Sequence, residues 1–186
     1  MKQITELETK RLKLRQWKQE DYAPFSKLNA DPKVMEFFPS VLTKVQSDVM
    51  ASTMKVLMSE KGWGFWAVEE KETGLFVGTL GLHEPTDNLP FLPCIEIGWR
   101  FLHEHWGKGY ATEAGEEVLK FAFEVLELDE VVSFTAVKNE RSWQLMQRLS
   151  MKNTYANFEH SALPKRHKLR EHVLYKMTKK MYYEKN

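Results

Sequence analysis

Only one cysteine, Cys94, occurs among the 186 residues. An internal disulfide and a cysteine-built metal site are therefore excluded, which agrees with a reducing, cytoplasmic setting. An excess of one charge is also missing. Lys and Arg number 27 against 26 Asp and Glu, net +1, so nothing electrostatic argues for nucleic acid as a partner. No run approaches the ~20 apolar residues that cross a bilayer. Met1 to Leu14 is too charged to hold the apolar centre of a secretory signal. The 6 histidines, at 83, 103, 105, 160, 167 and 172, include no i, i+4 pair of the kind that grips zinc on a helix, and no metal is expected.

What is present is an ordinary globular composition, 42% hydrophobic and 28% charged, which predicts one domain over 1–186 with a substantial core. Arg11 to Trp17 alternates like a first strand. Asp21 to Leu28 reads as a short helix, and Val34 to Pro39 as an apolar knot before a turn. Thr43 is placed to cap a helix to about Ser59, with Val45, Val49, Ser52, Val56 and Leu57 on one face. Gly62 to Glu69 and Leu75 to Leu82 form a predicted hairpin across Glu72-Thr73-Gly74. Asp87 to Pro93 is a loop, and Cys94 to Leu102 an apolar strand. Helical spacing runs from Ala111 to Leu126, a buried strand from Val131 to Val137, and a helix from Asn139 to about Leu149. Asn153 to Glu159 and Leu169 to Met177 close the chain as strands. Strands separated by helices, with hairpins at both ends, predict an α/β (α+β) chain with a mixed sheet flanked by helices.

Between the strand ending at Leu102 and the helix beginning near Ala111 lies His105-Trp106-Gly107-Lys108-Gly109-Tyr110-Ala111-Thr112-Glu113-Ala114. Glycine takes φ > 0 and lets a ligand approach the backbone. A helix's first turn offers unpaired N–H groups and the positive end of its dipole. The stretch reads either as a plain strand-to-helix turn or as an anion site suited to phosphate. It is neither a Walker loop nor a complete dinucleotide fingerprint.

Together with Glu96-Ile97-Gly98-Trp99, the string Trp106 to Ala114 closely resembles the acetyl-CoA motif of the GNAT N-acetyltransferase superfamily. It is most similar to the RimJ/RimL-like branch, which acetylates protein N-termini and other amines. The resemblance runs from about Glu8 to Thr178. It implies a mostly antiparallel, twisted sheet of about seven strands, with acetyl-CoA as co-substrate. The acceptor would be a primary amine, either a small molecule or a protein N-terminus, and the protein a monomer or homodimer. By that resemblance Gly107, Lys108, Gly109, Tyr110, Ala111 and Thr112 hold the pyrophosphate, chiefly through backbone N–H groups. Trp106 stands where Gln or Arg is usual in the wider family, as it often does in this branch. Phe101 and Leu102 offer backbone groups to the pantetheine arm, and an N–H there polarises the thioester carbonyl.

Asn139 and Ser142 follow the next strand. Asn139 reads as a helix N-cap, and by the resemblance also as a pantetheine neighbour, with Ser142 near the thioester sulfur. The tyrosine acid that many members place seven residues after such an asparagine is Met146 here, so Ser142, or a water it orders, is the substitute. Leu149-Ser150-Met151 replaces the usual Leu-Gly-Phe, a packing change. For the base, Glu96 puts a carboxylate in an apolar strand, which is costly unless paired or used. It either takes the amine's proton or is a structural group tied to Arg100 or to backbone. An α-amine, with a pKa of roughly 7.7–8, would need less help than lysine at ~10.4.

Phe37, Phe38 and Trp99 are candidate acceptor contacts as well as candidate core. Glu159, His160 and His172 are candidates for the acceptor edge, Cys94 for an inert core thiol, and Lys165 to Arg170 for a solvated loop. Three functions stay open at this stage: the transferase, an acyl-CoA sensor without catalysis, and an interaction module that never binds coenzyme A.

Overall fold

The computed structural model describes residues 2–185. A nine-stranded sheet runs in the order β1-β2-β3-β4-β5-β6-β9-β7, with β8 also on β9. The strands are β1 (Leu7–Glu8), β2 (Leu12–Arg15), β3 (Phe65–Glu70), β4 (Phe76–His83), β5 (Glu96–Phe101), β6 (Glu130–Ala136), β7 (Lys152–Asn153), β8 (Phe158–Glu159) and β9 (Glu171–Thr178). The helices are α1 (Tyr22–Ala30), α2 (Lys44–Lys61), α3 (Tyr110–Lys120), α4 (Glu140–Arg148) and α5 (Lys179–Lys185). The sheet is mixed and mostly antiparallel, as expected, but has nine strands instead of seven. Leu7–Glu8 adds a short edge. The expected strand from Asn153 to Glu159 breaks into β7 and β8 around Tyr155, whose φ is 57°.

The β5–β6 pair is the parallel one, and it determines where a ligand can enter. Its register contains a single partnered position, Glu96 opposite Val132, supported by Val132 N–H donating to Ile95 O at 2.9 Å. Beyond it the two strands continue without pairing. Their far edges are held by β4 and β9, from Glu96 to Phe101 and from Glu130 to Ala136. A parallel pair is joined by a crossover helix, here α3, so the mouth of the opening lies beside the turn that starts α3.

Side-chain alternation assigns the two faces. Glu96, Gly98 and Arg100 point one way, and Val132, Phe134 and Ala136 share that face through the Glu96–Val132 pairing. This is the face of α1 and α2, because Arg100 Nη1 donates to Asn29 Oδ1 of α1 and reaches Met50 Sδ of α2 at 3.9 Å. Residues 97, 99, 101, 131, 133 and 135 point to the α3–α4 face, where Leu149 packs against Gly115 of α3.

Helix α2 starts with a reciprocal cap, Thr43 Oγ1 accepting from Gln46 N–H and Gln46 Oε1 from Thr43 N–H. It ends at Gly62, φ 83°. Its apolar face is turned outward: Val45 is 73% and Val49 60% exposed, with Val56 and Leu57 also exposed. The buried side carries Ser47, Ala51 and Met58. Small residues let α2 approach α1 closely, and Ser47 Oγ accepts from Asn29 Nδ2 at 2.9 Å inside that contact.

Candidate active site

The turn between β5 and α3 is built from two left-handed glycines, Gly107 at φ 75° and Gly109 at φ 81°. A Cβ on Gly107 would meet nothing within 4 Å, and one on Gly109 would meet Arg11 Nη2 at 3.4 Å. The backbone there is open to a ligand. The first bond within α3 is Glu113 N–H to Gly109 O, 3.0 Å, so the N–H groups of Tyr110, Ala111 and Thr112 precede the helical ladder. Arg11 staples this turn to β2. It donates to the Lys108 carbonyl at 2.9 Å, pairs with Glu113 at 2.7 Å and lies over the Tyr110 ring at 4.6 Å. Lys108 Nζ lies 3.3 Å from His105 Nδ1. The turn thus joins N–H groups outside the helical ladder, the positive end of a helix dipole and the Arg11 and Lys108 cations, an arrangement that suits an anion.

Trp106 sits over the strand end and donates from Nε1 to Phe101 O at 3.0 Å. Arg141, on the first turn of α4, lies 4.5 Å over its ring and pairs with Glu36 at 3.0 Å. The two expected pantetheine partners separate here. Leu102 N–H is already bonded to Val77 O at 3.0 Å, across β4. Backbone groups alternate between edges, so Trp99 and Phe101 present theirs toward β6 and Leu102 does not. Trp99 therefore offers backbone to the opening, while its side chain lies on the α3–α4 face, packed on the core. Its indole is thus on the opposite side of the sheet from Glu96, apart from Phe37, Phe38 and His160.

Asn139 caps α4, as the sequence suggested. Its Oδ1 accepts from Ser142 N–H at 3.4 Å and its Nδ2 donates to Thr135 Oγ1 at 2.9 Å. Both ends of the amide are engaged, leaving Ser142 as the half-buried hydroxyl of the pair. Met146 is fully buried in the core. Ser150 adopts φ 65°, which gives a backbone reason for the usual glycine at that position.

Glu96 is not tied to Arg100, as one sequence expectation had it. It accepts from, or donates to, His83 Nε2 through Oε2 at 2.7 Å, and its side chain is 12% exposed against 36% for His83. Burial pushes the Glu96 carboxyl above the usual carboxylate range. The His83 hydrogen bond and the nearby His160 pull the other way, and Asp87 adds to the rise. Phe65 stacks on His83 at 5.0 Å between ring centres, and a Cβ on Gly98 would come within 3.1 Å of the Phe65 ring. Glycine at 98 thus leaves room for the ring that braces the pair. Sequence reasoning missed His83. The signal was the hairpin register, which sets His83 opposite Glu96, but a 12-residue connection hid it.

On the same face, His160 lies 3.9 Å from Asp87 and stacks with His172 at 4.9 Å and with Phe134 at 5.9 Å. Burial lowers the His172 pKa. Phe38 lies 4.1 Å under the Arg100 guanidinium, and Phe37 packs with Ala136, Leu163 and Leu169. The fold therefore brings Glu96, Phe37, Phe38 and His160 to one side of the opening. Burial, with Glu96 and Glu130 nearby, pushes the thiol of the half-buried Cys94 up to about 11, which disfavours the thiolate.

The model of the acetyltransferase (GNAT) domain family matches residues 11–152. An uncharacterized protein, YkkB, of Bacillus subtilis is 30% identical over 150 residues, covering 79% of this chain and 85% of its own. The uncharacterized N-acetyltransferase YoaA of the same organism is 28% identical over 145 residues, covering 77% and 80%. A GNAT-family acetyltransferase structure from Bacillus anthracis superposes with a TM-score of 0.79 at 21% identity, over 95% of this chain and 99% of that one, a likeness of fold. The chain belongs to the GNAT acetyltransferase family, whose members use acetyl-CoA as co-substrate.

Proposed function

We propose that this chain, acting as a single domain in the cytoplasm, transfers acetyl from acetyl-CoA to a primary amine by direct attack in a ternary complex. The acceptor is a small amine or a protein N-terminus, as in the RimJ/RimL-like branch. The carrying observation is the unpaired opening between β5 and β6, ending at a two-glycine turn with free helix-start N–H groups. In this reading the N–H groups of Gly107 through Thr112 hold the pyrophosphate, and the β5 edge at Trp99 and Phe101 carries the pantetheine and polarises the thioester carbonyl.

The amine nitrogen attacks the carbonyl carbon, a C–N bond forms, and the C–S bond breaks to release coenzyme A thiolate. Glu96 takes the amine's proton and His83, half in solvent, carries it away. Ser142 is left as the group beside the departing sulfur, because Met146 has no proton to give. Thiol release with acetyl-CoA and a panel of primary amines tests this. Acetylation that Glu96→Gln slows at and above neutral pH, where the native carboxyl is ionised, is expected. Tight coenzyme A binding without turnover on any amine would favour the sensor instead.

A further inference from the structure

Arg100 carries a charge that no carboxylate among the described residues answers. It stands on β5, four residues beyond Glu96 on the same face. Its Nη1 donates to Asn29 Oδ1, and its plane lies 4.1 Å over Phe38. Its Nε is inaccessible to solvent and has no partner. Among the described residues no carboxylate forms an ion pair with it. Glu96, Glu36 and Glu104 pair instead with His83, Arg141 and Lys27. A buried cation without an anion is costly, and here burial lowers its pKa to about 10. The group is nonetheless built in. Ser47 Oγ accepts from Asn29 Nδ2 at 2.9 Å, which fixes that buried amide with its oxygen toward the guanidinium. Phe38 holds the plane from one side. What remains is a planar fork with unused N–H donors beside the acceptor face, the geometry that pairs with a carboxylate.

We propose that Arg100 receives a carboxylate carried by the acceptor, so that the substrate is an amine that also bears an acid group. This rests on the acetyl-transfer reading, because it places the acceptor on the Glu96 face. Strand geometry puts Arg100 about 13 Å along β5 from Glu96 at the Cα atoms, and both side chains share that face. A free amino acid and a peptide with an acidic first residue carry the same chemistry.

The test compares acceptors with similar amines that differ in the carboxylate: 4-aminobutanoate against 4-aminobutanamide, and Asp-Ala amide against Asn-Ala amide. One pair probes the free amino acid, the other the peptide. Steady-state thiol release is measured for the native protein, Arg100→Gln, Arg100→Lys and Asn29→Asp. The native protein should show a KM about tenfold or more lower for the acidic member of at least one pair, with similar kcat. Arg100→Gln should erase that advantage, and Arg100→Lys should restore part of it. Asn29→Asp keeps Arg100 in place but gives it an internal anion, so it should also erase the preference. That variant decides the matter if Arg100→Gln does not fold. Equal KM values within both pairs, or a preference that survives Arg100→Gln or Asn29→Asp, would overturn the proposal. If no amine is acetylated, the acetyl-transfer reading fails instead. Calorimetric binding of 4-aminobutanoate with coenzyme A present, lost in Asn29→Asp, then still decides the carboxylate claim.

Discussion

Replacing His83 with phenylalanine keeps a ring against Phe65 and removes one hydrogen bond, the 2.7 Å contact to Glu96. The consequence follows from sign and size. Glu96 can accept a proton only when ionised, and its pKa is already raised by burial. The His83 bond favours the ionised form, so losing it moves the pKa up again. A hydrogen bond to a charged group contributes about 1.5–3 kcal/mol, and one pH unit corresponds to about 1.4 kcal/mol. The acid limb of kcat/KM should therefore move up by about one to two pH units. Near pH 7 the variant should be slow and should recover as the pH rises. His83→Gln, which can still donate, should lie between the two. The assay is thiol release from acetyl-CoA across pH 5.5–9.5, about the range in which the amine and carboxylate both titrate, with Glu96→Gln as the control that removes the limb. An acid limb that stays in place in His83→Phe would refute the pairing as a catalytic device. A uniform loss at every pH would make His83 a packing residue only.

Two stability predictions follow from the backbone. Asn139→Ala removes the cap of α4 and leaves Thr135 Oγ1 without its partner. It should cost about 1 kcal/mol in a urea titration, and no change would mean the cap contributes nothing. Ser150→Gly relieves a left-handed φ of 65°. It should raise stability by about 0.5–1 kcal/mol, and a lowered melting temperature would show that Ser150 does more than occupy the turn.

Much of this molecule is legible in its sequence. The glycine turn, the strand before it and the helix after it announce themselves because each needs a residue type that little else explains: Gly107 and Gly109 for positive φ, Ala111 to Val118 for a buried helical stripe. Asn139 was recognisable as a cap for the same reason. What stayed hidden depends on relations between segments. Trp99 looked like a pocket wall, but strand parity sends its ring to the other face from Glu96. Leu102 looked available, but its N–H belongs to Val77. The sequence puts an apolar stripe on one face of α2 but does not say which face meets the core; the stripe faces outward, and Ser47 and Ala51 are the residues small enough to meet α1. His83 and Arg100 acquire meaning only through what lies opposite them: a carboxylate for one, and no anion for the other.

The account depends most on the turn at Gly107 and Gly109. Calorimetric titration of the native protein and of Gly109→Glu with coenzyme A tests it directly. The substitution forces a side chain into φ 81° and sets a carboxylate against a phosphate. One-to-one binding by the native protein, weakened by at least about tenfold, or about 1.4 kcal/mol, in the variant is the predicted result. Equal affinity in the two folded proteins would contradict the assignment of that turn as the donor site.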